Sequence, residues 1–186
     1  MKVSKLNESG YEQAAQGFSL SYNSTIERAK QILPKYAFGI SGERKFLESI
    51  VVWLDIMAPR YWWQEADTYR VGITKQSEST MHTLTKQTIN QMSFEDPISH
   101  DTIDALNRLI SYYRIAVGEV KQQAFLSIKS LLPEGFLQRR IVMVSYKTLQ
   151  NMYDQRHNHR LPQWQTFLNT VLQEIEHPEF IVKGES

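Results

Sequence analysis

The stretch Pro59–His82, PRYWWQEADTYRVGITKQSESTMH, decides how the chain is read. It gathers four aromatics (Tyr61, Trp62, Trp63, Tyr69), two carboxylates (Glu65, Asp67) and two arginines (Arg60, Arg70). A hydroxyl and amide tract comes next (Thr74, Gln76, Ser77, Ser79, Thr80) and ends in Met81 and His82. A core helix or strand would carry a clean apolar stripe here. Rings beside fixed charges and short donors suit an anionic, partly aromatic ligand such as a nucleotide. Rings stack on a base, Arg grips phosphate through two parallel hydrogen bonds, and hydroxyls cap phosphate oxygens. A polar helix end with a Trp pair in the core accounts for the same composition equally well.

The totals frame this stretch. A chain of 186 residues is expected to form one domain over 1–186, with 1–10 and 179–186 as loose tails. The hydrophobic fraction of 41% and charged fraction of 22% are those of a soluble globular protein. A net charge of +1 argues against a nonspecific nucleic-acid footprint. With no cysteine there is no disulfide, thiolate nucleophile or cysteine-based metal site. The first residues lack the apolar run of a signal peptide, and no window approaches the roughly 20 apolar residues that span a bilayer. The expectation is a cytoplasmic protein with no membrane partner.

Working outward, Leu47–Met57 (LESIVVWLDIM) is β-branched and apolar and predicts a buried strand. Pro59 suits the first turn of a short helix over 60–67, and a polar helix is expected over Ser77–Gln91. Toward the N-terminus, Ser24 or Thr25 caps a helix over Ile26–Tyr36. Toward the C-terminus, Ile103, Leu106, Ile110, Tyr113 and Val117 make one helical face, and a second helix runs through Val120, Ala124, Ile128 and Leu131. Leu137–Val144 reads as a strand. Trp164, Phe167, Leu168, Val171, Leu172 and Ile175 mark the clearest amphipathic helix. Helices outnumber strands without regular alternation, so the class is α+β.

Arg156, His157, His159 and Arg160 form the one dense basic cluster. Histidines at i and i+2 do not share a helix face, and two arginines oppose a divalent cation, so an anion is favoured over a metal. A solvated helix end with cations at its C-terminus is the equal alternative. Glu65 and Asp67, also i and i+2, do not make a hydrolytic carboxylate pair. No P-loop or nucleophile elbow is present. Ser79 and His82 share helical spacing, which alone is weak support for a nucleophile and base.

Several segments, in order, resemble the flavin-dependent thymidylate synthases. AAQGFSLSY matches an alanine-rich N-terminal helix, and KFLESIVVWLDIMAPRY, with Glu48 and Arg60, the approach to a strand and an Arg-bearing helix. TYRVGITKQSESTMH stands where the family carries RHRxxSxNExSxRY. Thr68, Tyr69 and Arg70 fall on RHR. With one residue inserted after Gly72, Thr74, Gln76, Ser77 and Ser79 fall on S, N, E and S, and Met81 and His82 on R and Y. Arg70 and Ser79 are identities. SYKTLQNMYDQRHNHRLPQW matches the C-terminal region through Leu149, Arg156 and Gln163-Trp164. The resemblance implies an α+β fold, an antiparallel sheet flanked by helices, in a homo-oligomer (tetramer first, dimer second) with ligand sites between subunits. It implies a nucleotide-binding protein in which Arg70 and Arg156 grip phosphate and Ser77 and Ser79 donate hydroxyls. Trp62, Trp63 or Tyr69 would stack on the base, and Thr68, Gln76, His82, His159 and Arg160 would complete the site. Thr68 and Tyr69 replace an Arg and a His that help hold flavin in the family, so no cofactor, no metal and no catalytic residue is expected. The role implied is that of a phage-type relative sequestering a nucleotide, for instance a signalling nucleotide of host defence. An FAD-dependent thymidylate synthase-like methyltransferase and a protein-interaction module are the alternatives.

Overall fold

Val51–Pro59 alternates along its length: Val52, Leu54, Ile56 and Ala58 are fully buried, while Val51, Trp53, Asp55 and Met57 between them are half-exposed. A period of two is what a strand with one dry face requires. The computed structural model describes residues 1–183. In chain order the elements are β1 (Lys2–Ser9), α1 (Tyr11–Ser21), α2 (Ile26–Tyr36), α3 (Phe46–Ser49), β2 (Val51–Pro59), α4 (Arg60–Ala66), β3 (Ile73–Ser77), α5 (Thr80–Thr83), α6 (His100–Ile115), α7 (Gly118–Leu131), β4 (Leu137–Ser145), α8 (Tyr146–Arg156) and α9 (Pro162–Glu174). The strands form one antiparallel sheet in the order β1-β2-β4-β3, with Val51 opposite Ser145 and Pro59 opposite Leu137. The class is α+β with helices flanking an antiparallel sheet.

One face of the sheet carries the main core. Leu54, Ile56, Val142 and Val144 meet Ala15 and Phe18 of α1, Leu33 of α2, Leu149 of α8, and Trp164 and Phe167 of α9. The Trp pair belongs to this core. Trp62 and Trp63 are 2% and 1% exposed, and Trp62 lies 5.0 Å from the Trp164 ring and 5.3 Å from Phe167. A second apolar cluster holds the α6–α7 hairpin: Leu106 and Ile110 pack with Ile128, Leu84, Ile89 and Phe94. The opposite sheet face is different. Val51, Trp53, Met57, Ile141 and Met143 are half-exposed there, and neither cluster takes them in among the described residues.

Three expectations are corrected. Residues 2–9 are not a loose tail but an edge strand on β2, with Val3 packed on the core and Glu8 accepting from the Tyr146 hydroxyl and the Glu176 N–H. Nor is 179–183 loose: Phe180 and Ile181 are buried and the Phe180 carbonyl accepts from Gln150 at 3.0 Å, whereas 184–186 lie outside the described residues. The strand begins at Val51, not Leu47, because a turn of helix puts Phe46 and Leu47 into the core, with Phe46 edge-on to Phe18. The polar helix over 77–91 is β3, the single turn α5 and short 3-10 turns. Asn107 brackets the Ile89 backbone at 2.9 and 2.8 Å, which holds the chain extended there. Gly10 allows the tight step from β1 to α1: its φ is +100°, and a Cβ would lie 2.0 Å from the Ser49 carbonyl oxygen. Among the described residues no helix is long and apolar enough to cross a membrane.

Tyr146 ties the sheet's two ends of sequence together, since its hydroxyl donates to buried Glu8 and accepts from the His177 N–H. Burial first, and Glu8 second, push its pKa up. Tyr146→Phe leaves Glu8 one donor short and should cost about 1–3 kcal/mol in urea unfolding. In the wild type the raised pKa stabilises the fold fully below about pH 10; above it the unfolded state releases the proton first, so stability falls with rising pH.

Candidate functional site

The tract that resembles the signature hangs on β4. Gly72 starts it with φ +65° and room for no side chain, since a Cβ would lie 2.5 Å from Ser145 Oγ. The Gly72 carbonyl accepts from the Ser145 N–H at 2.7 Å, and the Thr148 hydroxyl donates to the Val71 carbonyl at 2.7 Å. From this anchor Gln76 pairs with Ile141 and Ser77 with Arg140. The Glu78 N–H then donates to the Arg139 carbonyl at 2.8 Å, and Gln138 Nε2 donates to the Glu78 carbonyl at 3.0 Å. Met57, Gln76, Ser77, Glu78, Arg139, Arg140 and Ile141 therefore surround an open cavity of about 670 Å³, with one carboxylate among two guanidinium groups.

The cations of β3, β4 and α7 differ in how they are answered. Arg139 makes a two-pronged pair with Asp55, whose carboxyl it holds below the usual range. Arg140 binds both oxygens of Asp67 at 2.9 and 3.0 Å and lies 4.2 Å over the Trp63 ring. Lys75 shares Asp67 and donates to the carbonyls of Ala66 and Tyr69. Lys129, from α7, is answered differently. Its ammonium donates to the Thr80 hydroxyl at 2.7 Å, and no carboxylate lies within 4 Å of it among the described residues. Burial first, and nearby Arg60 second, hold its pKa below the ordinary lysine value. Arg60 itself pairs with Glu134 at 3.1 Å. Ser79 heads α5, its carbonyl accepting from the N–H groups of His82 and Thr83 at 3.0 Å.

The remaining expected site residues fall elsewhere. Arg156 is 3.3 Å from Glu65, and its Nε donates to the Tyr69 hydroxyl at 3.2 Å. Trp164 Nε1 donates to the same Glu65 oxygen at 3.1 Å. The Leu161 N–H donates to His159 Nδ1, so the ring proton sits on Nε2, facing Glu65 at 3.3 Å. Glu65 is thus the hub of a half-buried network that answers the Arg156 charge and borders the cavity lined by Arg160. Tyr69 donates its hydroxyl to Gln155 at 2.9 Å, and Thr68 donates to the Glu65 carbonyl at 2.7 Å. Arg160 lines a separate cavity of about 490 Å³ with Tyr61 and Asp96. His82 lines a third, between α5 and the α6–α7 turn. Arg70 is exposed, with no ion pair within 4 Å among the described residues. Asp67, three positions before it, is paired instead with Lys75 and Arg140. Buried Trp62 and Trp63 offer no ring face to a base, because α4 is packed between the sheet and α9.

The structure brings Gln76 and Ser77 together with Arg139 and Arg140, and sets Thr80 against Lys129. Sequence reasoning named Thr80 as part of the hydroxyl tract and passed over Arg139, Arg140 and Lys129. The Arg139-Arg140 dipeptide in an otherwise apolar strand was a visible signal; Lys129 on an amphipathic helix gave none.

No protein-family model and no curated protein matches the chain. Solved structures do match. Two crystal structures of the flavin-dependent thymidylate synthase ThyX from Helicobacter pylori, complexed with FAD and dUMP, superpose with TM-scores of 0.74. They are 15% and 14% identical to this chain, and each comparison covers 98% of both chains. The chain has the flavin-dependent thymidylate synthase fold.

Because Arg156 completes the Glu65 network, Arg156→Ala is expected to lower stability by about 1–2 kcal/mol. Arg70→Ala should stay within about 0.5 kcal/mol of wild type, as surface changes do. Paired urea titrations of the two variants check both values.

Proposed function

We propose that this protein binds a nucleotide, in the cytoplasm, with its phosphate at Lys129 and Thr80 and its remainder toward the groove of Gln76, Ser77 and Arg139, and holds it without turnover. The observation that carries the reading is Lys129. A partly buried ammonium beside a second cation, with only a hydroxyl for a partner, is destabilised until an anion meets it. A phosphate group there would take Lys129 and the Thr80 hydroxyl, with Ser77, Gln76 and the exposed edge of Arg139 along the groove. The FAD and dUMP held by structures of the same fold support the ligand class.

The residues at 68 and 69 support the absence of turnover. Where the resemblance places an Arg and a His that help hold flavin, Thr68 and Tyr69 give their hydroxyl protons to Glu65 and Gln155 of the protein itself. Neither is left to meet a cofactor. Sequestration of a nucleotide, such as a signalling nucleotide of host defence met by a phage-type protein, is the role this reading leads to. The free sheet face supports a homo-oligomer. Five central apolar side chains stand where a solvated sheet would carry polar ones, and the groove beside Met57 and Arg139 opens onto the same face.

Calorimetric titration with dUMP, dTMP and cyclic nucleotides tests the site. Wild type is expected to bind at least one of them, and Lys129→Met to bind it about tenfold or more weakly. Affinity should fall as pH rises through the lowered Lys129 pKa, earlier than for an ordinary lysine. Equal binding by wild type and Lys129→Met would remove the groove as the site. The purified protein is expected to be colourless and inert toward NADPH; flavin absorbance that survives gel filtration would replace this reading with the FAD-dependent transferase. Light scattering should return a multiple of the chain mass, a single-chain mass being the contrary result.

A further inference from the structure

The third cavity, about 420 Å³, lies between α5 and the start of α7. Two of its walls are rings: Tyr113 of α6 and Phe125 of α7, with centroids 5.9 Å apart and planes at 48°. Met81, 62% exposed, supplies a third apolar wall. Gly118 adds no side chain, and open space surrounds the point where a Cβ would stand. The polar lining consists of Lys121, His82 and Gln122, with no carboxylate. Lys121 sits 4.9 Å over the Tyr113 ring, and no carboxylate lies within 4 Å of it among the described residues. The His82 side chain likewise has no hydrogen-bond partner among them.

We infer that this cavity is a binding site for a planar aromatic anion, an aryl carboxylate being the simplest form. The walls set the body of the ligand. Two tilted rings and a thioether offer flat, polarisable surface to an aromatic ring, and the volume lies within the range of small-molecule sites. The rim sets its charge. Lys121 is held by a ring face alone and His82 by nothing, so an anion gains two nitrogen partners without displacing an existing ion pair. A cationic ligand would meet Lys121 with no acid on the lining to offset it. The site uses none of the residues of the proposed nucleotide groove and stands or falls separately from it.

The probe is 2-naphthoate, titrated into the uniformly ¹⁵N-labelled full chain and followed by amide shifts. Saturable binding with Kd below about 1 mM is expected, with shifts centred on 81–82, 113 and 118–125. Lys121→Gln should weaken it about fivefold or more, Lys121→Arg should restore most of it, and neutral 2-naphthylmethanol should bind wild type about fivefold more weakly. Lys129→Met should leave naphthoate binding unchanged. The spectrum of Lys121→Gln away from the cavity verifies that the variant is folded. The proposal is overturned by absence of saturation at several millimolar, by equal affinity of wild type and Lys121→Gln, or by shifts centred on Arg139 and Arg140 instead.

Discussion

Everything in this molecule hangs on the antiparallel pairing of β2 with β4 over nine residue pairs, with one face dry. The dry face fixes register, since a slip of one residue would turn Leu54, Ile56, Val142 and Val144 away from the helices and Asp55 and Arg139 toward them. The two ends of the pair then place the neighbouring elements. At one end Ser145 caps α8, its hydroxyl accepting from the Thr148 N–H, and the adjoining Gly72 carbonyl pins the start of β3. At the other end Pro59 turns the chain into α4, which drives the Trp pair beneath α9. The candidate groove is a by-product of these two ends: β3 reaches only as far as Ser77, and the chain must cross to α5 beside Arg139 and Arg140.

Charge on this protein separates into two kinds. Arg139, Arg140, Arg156 and Lys75 each have a carboxylate, and the partner is on a different element in every case. Such pairs fix geometry; removing one partner strands the other. Lys129 and Lys121 have instead a hydroxyl and a ring face. A cation held that weakly contributes little to the fold, so its position is better explained by something it meets than by something it supports. That difference, and not the density of basic residues along the chain, marks where to look for ligands. In the densest basic stretch, Arg156–Arg160, Arg156 and His159 are tied into the Glu65 network.

The sequence carried the period-based features well. The alternation of β2, the α6 face through Ile103, Leu106 and Ile110, and the α9 stripe are all read from spacing, because burial imposes spacing directly. The family resemblance added the sheet. Spacing failed where long-range contacts decide. Residues 46–49 have strand-like neighbours but turn helical to bury Phe46, and 87–90 is extended between two 3-10 turns because a side chain of α6 holds Ile89. The site was legible in part. Gln76 and Ser77 do line a groove, yet Trp62 and Trp63 do not, since composition cannot say whether a ring faces a ligand or another Trp. Val117, last of the expected α6 face, is 79% exposed because the helix ends at Ile115 and the turn throws it outward.

The fold persists over 98% of both chains at about 15% identity, and the reason lies in what each kind of position must satisfy. A core position needs an apolar side chain of suitable volume, which many residues supply. A site position needs a particular donor or charge at a particular place, which few do. Positions 68 and 69 illustrate the consequence. Their hydroxyls now tie the turn after α4 to the end of α4 and to α8, so residues that the resemblance places against a cofactor serve packing here. Once such a position has been absorbed into the structure, the fold no longer testifies to the chemistry. The chemistry has to be argued from the groups left without a carboxylate partner, and Lys129, answered only by the Thr80 hydroxyl, is one of them.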